Sequence, residues 1–104
     1  MKVEQFVHAN QFHIYDTKKA VDYLQSYDKT VVKIEVKTSQ DMKQKSRIII
    51  TLGYYWDFSK TTATHVYEFL KQYGYISFNG IANKRAYVNE LIKDGIITYD
   101  EGLE

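Results

Sequence analysis

The chain has 104 residues, a formal net charge of +1, no cysteine and no proline. A charge this close to zero excludes a global electrostatic attraction to nucleic acid or to an anionic membrane, and the lack of cysteine excludes disulfides, thiolate metal sites and cysteine nucleophiles. The apolar fraction of 44% and the length predict one globular domain spanning residues 1–104. The first residues lack the apolar run of a secretion signal and no segment approaches membrane-spanning length, so we expect a cytoplasmic protein.

The first predicted elements are a short strand and a short helix. Residues 11–15 alternate between two faces, which is the period of a strand. Asp16 and Thr17 offer side-chain oxygens that can cap a helix running to Leu24. The apolar stripe of that helix would comprise Ala20, Val21 and Leu24. Residues 26–28 follow as a turn.

The middle of the chain predicts an antiparallel pair of strands. In residues 30–37, Val32, Ile34 and Val36 alternate with charged residues, which indicates one core face and one solvent face. Residues 47–52 form the second strand, whose inward side chains are Ile48, Ile50 and Leu52. The connecting residues 38–46 are polar and longer than a tight hairpin needs.

The last third of the chain predicts two helices and a short strand. The first helix covers 62–73 and has an apolar face made by Val66, Phe69, Leu70 and Tyr73; Gly74 supplies its left-handed stop. The second covers 83–94 with Val88, Leu91 and Ile92 inward and ends at Gly95, before a strand at 96–99. The fold class is therefore α+β, a small antiparallel sheet packed against two or three helices, and the C-terminal helix pair is loosely similar to a winged helix.

An aromatic stretch joins the strands to the helices. The rings of Tyr54, Tyr55 and Trp56 cannot all point inward from an extended segment, so at least one is expected to face solvent as an interface anchor. The residues after them are typical of a helix start, because their oxygens accept hydrogen bonds from free backbone amides. The candidate capping residues are Asp57, Ser59, Thr61 and Thr62.

Four features resemble a group of uncharacterised small proteins of Gram-positive phages and mobile elements: the Ser-Tyr-Asp turn at 26–28, the strand at 32–36, the segment at 56–62, and His65, Phe69 and Leu70 after it. Their recurring pattern is a Ser-Tyr turn, two strands, then an aromatic-Asp-Tyr-Ser-x-Thr-Thr segment that opens a helix; here Phe58 replaces the tyrosine. The likeness covers roughly 11–73. It implies a phage or mobile-element origin, and it implies that the protein binds a host protein, such as a CRISPR–Cas defence factor or a replication protein, as an anti-CRISPR-like inhibitor would.

The sequence offers no arrangement that predicts catalysis. His8, His13 and His65 lie on separate elements without metal-ligand spacing. Ser59 lacks the context of a catalytic nucleophile. We therefore expect a protein that is not an enzyme and holds no cofactor or metal.

Local positive charge keeps a nucleic-acid hypothesis open. Lys43, Lys45 and Arg47 lie in a basic stretch, and Lys84 and Arg85 open the second helix, where a recognition helix would contact bases. The alternative for the basic stretch is a solvated sheet face whose lysines protect an edge. The leading prediction is a binding protein that contacts a host protein through Tyr54, Tyr55, Trp56, Lys43, Lys45 and Arg47. The runner-up is a small nucleic-acid-binding or transcription-regulatory domain, and the third is a protein that associates with itself, as a dimer, through its sheet edge.

Overall fold

A computed structural model describes residues 2–5, 11–27, 29–37 and 47–103. Within these ranges the chain forms six strands, a short 3-10 helix and two α-helices. In chain order they are β1 (Lys2–Gln5), β2 (Gln11–Asp16), β3 (Val21–Ser26), β4 (Lys29–Lys37), β5 (Arg47–Gly53), the 3-10 helix (Tyr54–Asp57), α1 (Lys60–Tyr73), α2 (Lys84–Lys93) and β6 (Ile97–Asp100).

The six strands form one sheet in the order β1-β2-β3-β4-β5-β6. The first five strands are antiparallel to their neighbours, whereas β6 runs parallel to β5. A parallel neighbour requires a long crossover, and the 3-10 helix, α1 and α2 provide it. The α+β fold class is confirmed. The likeness to a winged helix is not confirmed, because β6 joins the main sheet beside β5.

The predicted strands at 11–15, 30–37, 47–52 and 96–99 are confirmed as β2, β4, β5 and β6, and the β4–β5 pair is antiparallel. One detail of β4 departs from simple alternation. Leu24 of β3 faces Val32 and Gln25 faces Thr30, so Val31 has no opposite residue. This extra residue is a β-bulge, and a bulge turns two successive side chains to one side. Val31 and Val32 are accordingly both fully buried.

The predicted helix through Leu24 is wrong, because this segment is strand β3. The carboxylate of Asp16 does accept backbone hydrogen bonds, from the amides of Lys18 at 3.0 Å and Lys19 at 3.3 Å, but in a hairpin turn. Asp offers the same oxygen to a turn as to a helix start. Ala20 closes the turn with a φ of 53°. Val21 and Leu24 are buried as predicted, but as strand residues.

The core lies between the sheet and the helices. Val66, Phe69 and Leu70 of α1 are completely buried, and Val88 of α2 and Ile97 of β6 join the same cluster, so the predicted helix faces are confirmed. Removing these side chains from water supplies the main stabilising contribution.

Gly74 places the end of α1 over the sheet. A side chain at Gly74 would lie 3.0 Å from Cδ1 of Ile50, so the glycine allows close packing. On the same face of the sheet, Val36 and Ile48 form the next cross-strand pair after Ile34 and Ile50, and they are 39% and 40% exposed. Their predicted inward position is therefore wrong, because α1 ends before it reaches them.

The two helix ends use different stops. Gly74 has a φ of −98°, so the predicted left-handed stop at this residue is wrong; Tyr75 takes the left-handed conformation instead, with a φ of 58°. At the end of α2, Gly95 is left-handed with a φ of 80°. The amides of Gly95 and Ile96 donate to the carbonyls of Ile92 and Leu91, which is the Schellman pattern. The predicted stop at Gly95 is confirmed.

Candidate functional site

The 3-10 helix separates the aromatic residues that the sequence places side by side. With about three residues per turn, neighbouring side chains in such a helix point in different directions. Trp56 is buried at 3% exposure and belongs to the core, whereas Tyr54 is 56% exposed and Tyr55 is half-buried. The expectation that at least one ring faces solvent is confirmed. The burial of Trp56 removes it from the surface that a partner could contact.

Phe58 completes an exposed group of rings. It directly follows the 3-10 helix and is 76% exposed. The rings of Tyr54 and Tyr55 meet edge to face with centroids 5.1 Å apart, and those of Tyr55 and Phe58 lie 5.8 Å apart. The ammonium of Lys29 lies 5.6 Å from the centre of the Tyr55 ring. We call Tyr54, Tyr55 and Phe58 the aromatic patch.

Ser59 is the residue that caps α1, as predicted. Its hydroxyl accepts a hydrogen bond from the Thr62 amide at 3.1 Å and donates one to the Thr62 hydroxyl at 3.0 Å. Thr62 is itself buried, and its hydroxyl lies 3.4 Å from that of Ser26 at the end of β3. Ser26 also accepts a hydrogen bond from the Gln11 side chain at 2.9 Å. The serine of the Ser-Tyr turn and the Ser-x-x-Thr of the helix start are therefore one hydrogen-bonded network.

Asp57 has a different role from the cap that was predicted. Its carboxylate forms an ion pair with the Arg85 guanidinium, with an N–O distance of 2.8 Å. This contact joins the 3-10 helix to the first turn of α2. Thr61, the remaining predicted cap, is an exposed residue of the first turn of α1. The start of α2 is capped by Asn83, whose side-chain oxygen accepts from the Ala86 amide at 3.0 Å.

A cleft of about 570 Å³ lies where the starts of α1 and α2 meet beside the aromatic patch. Phe58, Lys60, Lys84, Arg85 and Asp57 line it, and we call these five residues the junction cleft. Three cations and one carboxylate give it a positive balance. The structure thus brings the predicted residues Lys84 and Arg85 next to Phe58, 26 or more positions away in the chain.

The other basic residues of the prediction come from the stretch at 43–47. Lys43 and Lys45 lie outside the described residues, as does the side chain of Arg47. The backbone of Arg47 begins β5 and that of Gly53 ends it, next to the aromatic patch. A strand of seven residues spans roughly 20 Å. The backbone of Arg47 is therefore at the opposite end of the strand from the cleft.

The sequence analysis does not identify Lys60 and Tyr67 as residues of the candidate site. Tyr67 lines the cleft, and its ring lies 6.3 Å from that of Trp56 and 5.9 Å from the Lys84 ammonium. Burial raises the pKa of Tyr67; the Arg85 guanidinium lowers it and the Asp57 carboxylate raises it. A signal was present, since Lys60, Ala63, Thr64 and Tyr67 follow the i, i+3, i+4, i+7 spacing of a second face of α1.

The described histidines are packing residues and do not line the cleft. His65 is buried in α1 at 3% exposure. The ring of His13 packs 4.3 Å from that of Tyr73, and its Nε2 lies 2.5 Å from a carboxylate oxygen of Asp22. His8 lies outside the described residues. Across the described ranges, no three His, Asp or Glu side chains are arranged to hold a metal ion.

Comparison of the chain with protein-family models, with curated proteins and with solved structures finds no match. The resemblance to phage and mobile-element proteins thus stays a prediction. Within the described part of the chain, no helix has the length and apolar character needed to cross a membrane.

Proposed function

We propose that this protein is a non-enzymatic binding protein of a phage or mobile element, and that it engages and inhibits a host protein. The observation that carries the proposal is the aromatic patch, where Phe58 is 76% and Tyr54 56% exposed. Large exposed rings are costly in water and are enriched among the residues that dominate protein interfaces. The resemblance of residues 11–73 to phage and mobile-element proteins supports the host as the source of the partner.

Several contacts hold the backbone beneath the aromatic patch in place, which favours tight binding. Trp56 anchors the 3-10 helix in the core, Ser59 caps the helix that follows, and the Asp57–Arg85 ion pair ties the turn to α2. A surface that is already ordered loses less conformational entropy when a partner docks. Phe58 and Tyr54 can therefore act as anchors without rearrangement of the backbone.

The junction cleft indicates the charge of the partner. Lys60, Lys84 and Arg85 line the same cleft as Phe58, and they outnumber Asp57. A complementary surface has an apolar pocket for the ring and carboxylates around it. We propose such a face on a host defence factor, for example a CRISPR–Cas protein, or on a replication protein. A positive cleft does not resemble DNA, so the inhibitor would act by covering a protein surface.

The test compares two exposed aromatic residues. The tagged protein is used to capture partners from host lysate, with and without nuclease, and the affinity of the captured protein is then measured. Phe58→Ala is expected to weaken binding by about 2 kcal/mol, or about thirtyfold in Kd. Tyr75→Ala is the matched control, because Tyr75 is 78% exposed but lines neither the cleft nor the patch. If Phe58→Ala and Tyr75→Ala bind the partner with equal affinity, the proposal is contradicted.

Nucleic-acid binding is the second candidate function, and the positive balance of the junction cleft favours it. Lys84 and Arg85 begin α2 and Lys60 begins α1, so three cations face one cleft. If all three contact phosphates of duplex DNA, the logarithm of the affinity falls with the logarithm of salt concentration with a slope of about −3. Lys84→Ala should reduce that slope by about one. Failure to bind a DNA column at low salt removes this candidate.

A further inference from the structure

The junction cleft carries positive charge that the described part of the protein leaves without a counter-charge. Lys60 and Lys84 both line the cleft. No ion pair among the described residues includes either of them. Arg85 lines the cleft as well, but it is paired with Asp57, so those two charges largely cancel. The cations that remain for a ligand are therefore the two lysines.

The positions of the two lysines are unfavourable for the helices that carry them. Lys60 is the first residue of α1 and Lys84 is the first residue of α2, and neither helix has an acidic residue in its first turn. The start of a helix is the positive end of its dipole, which disfavours a cation. The two ammonium groups therefore do not stabilise their own helices. Residues that break a local rule in this way are expected at functional sites.

Two aromatic rings line the same cleft. Phe58 is 76% exposed, and its T-shaped contact with Tyr55 covers at most one face of its ring. At least one face of Phe58 is therefore open to a ligand. Tyr67 is the second ring, and the Lys84 ammonium lies 5.9 Å from its centre. A ring holds an ammonium group in place by its quadrupole but does not neutralise the charge.

This combination selects a ligand that has both an anionic group and a flat ring. A phosphate monoester carries about two negative charges at neutral pH, which matches the two lysines. Free phosphate would leave the Phe58 ring in water, and an uncharged ring compound would leave the lysines without a counter-charge. Duplex DNA offers phosphates, but its bases are stacked inside the helix. A nucleoside phosphate supplies both parts, and the cleft volume of about 570 Å³ is typical of a small-molecule site.

We propose that the junction cleft binds a nucleoside phosphate, whose base stacks on Phe58 and whose phosphate is held by the ammonium groups of Lys60 and Lys84. This activity goes beyond the proposed contact with a host protein, because it requires no protein partner. Both ligands use Phe58, so a bound nucleotide prevents the host protein from docking. Two sources supply the group: a free nucleotide, or the phosphorylated end of a nucleic-acid strand.

The test uses adenosine monophosphate and its two halves, adenosine and ribose 5-phosphate. Each is titrated into the full-length protein at low salt while the amide signals are followed by NMR. One base is sufficient, because stacking on an aromatic ring tolerates every base. Adenosine monophosphate is expected to shift the signals of Phe58, Lys60 and Lys84 with saturation, and each half to bind at least about tenfold more weakly. If either half binds as tightly as the whole, or adenosine monophosphate causes no saturable shift, the proposal is overturned.

Matched variants locate the site. Phe58→Leu removes the ring and should bind adenosine monophosphate about tenfold more weakly, whereas Tyr75→Leu changes an equally exposed ring outside the cleft and should not. Lys84→Gln should also weaken binding about tenfold, whereas Lys93→Gln removes the same charge from the other end of α2 and should not. Amide spectra establish that each variant is folded. Full binding by Phe58→Leu or by Lys84→Gln, or an equal loss in their controls, places the nucleotide elsewhere and overturns the proposal.

The source of the phosphate is distinguished by a second pair of probes. A short single-stranded oligonucleotide with a 5′-phosphate is compared with the same strand without it and with adenosine monophosphate. Tighter binding of the phosphorylated strand than of adenosine monophosphate assigns the site to a strand end. Equal or weaker binding of that strand assigns it to the free nucleotide. If the strand without the 5′-phosphate binds as tightly as the phosphorylated one, backbone phosphates make the contact and the proposal is wrong.

The nucleotide site and the proposed host contact fail separately. The titrations use the isolated protein, so their outcome does not depend on capture of a host protein. If no host protein is captured but adenosine monophosphate binds, the proposed function alone is contradicted. Where a host protein is captured, saturating adenosine monophosphate should release it, and capture that is unchanged by the nucleotide contradicts the shared use of Phe58.

Discussion

Trp56 and Phe58 are two positions apart, yet the structure gives them opposite roles, so their substitution should have opposite effects. Trp56 is 3% exposed and Phe58 is 76% exposed. Burying a tryptophan removes roughly 200 Å² from water, which at about 25 cal/mol per Å² is worth about 5 kcal/mol. We expect Trp56→Ala to lower the free energy of unfolding by about 3–5 kcal/mol. Phe58→Ala should change it by no more than about 0.5 kcal/mol.

Urea unfolding followed by far-UV circular dichroism measures both variants. Dichroism is the right probe because Trp56 is the chain's single tryptophan, and its fluorescence disappears in the variant. A domain of this size is stable by only about 5–15 kcal/mol, so Trp56→Phe, which leaves a smaller cavity, is included in case Trp56→Ala does not fold. A cost of less than about 1 kcal/mol for Trp56→Ala, or a larger cost for Phe58→Ala than for Trp56→Ala, contradicts the opposite roles of the two residues.

Three further predictions concern the backbone and pH. Tyr75 has a φ of 58° and is exposed, so Tyr75→Gly should stabilise the protein by roughly 0.5–1 kcal/mol in urea unfolding, and Tyr75→Ala should not. A side chain at Gly53 would lie 2.8 Å from the backbone oxygen of Thr30, so Gly53→Ala should lower the free energy of unfolding by about 1–3 kcal/mol. Gly102→Ala is the control and should be nearly neutral, because its nearest contact would be at 3.4 Å. Because burial raises the pKa of Tyr67, the folded state keeps a proton that the unfolded state releases at high pH. The free energy of unfolding should therefore fall as pH rises from about 10. Tyr67→Phe should make that fall less steep in unfolding curves measured at each pH.

The elements that the sequence predicts correctly are those with long periodic patterns. β4 alternates over most of its nine residues, and α1 repeats its apolar face over fourteen. β3 was missed because six residues with apolar positions at Val21 and Leu24 fit a helix as well as a strand. Asp16 could not decide between the two, since its carboxylate accepts the same backbone hydrogen bonds in a hairpin turn. Only pairing with β2 and β4, which is non-local, determines the outcome.

The candidate site was less predictable, because it depends on contacts between distant residues. The spacing of apolar residues does not predict the direction of side chains in a short 3-10 helix. Nor does it predict the ion pair between Asp57 and Arg85, which lie 28 positions apart. The sequence therefore grouped Trp56 with Tyr54 and Tyr55, and it assigned Asp57 to a helix cap. Two of the segments that the sequence analysis names do meet in space, since Phe58 lines one cleft with Lys84 and Arg85.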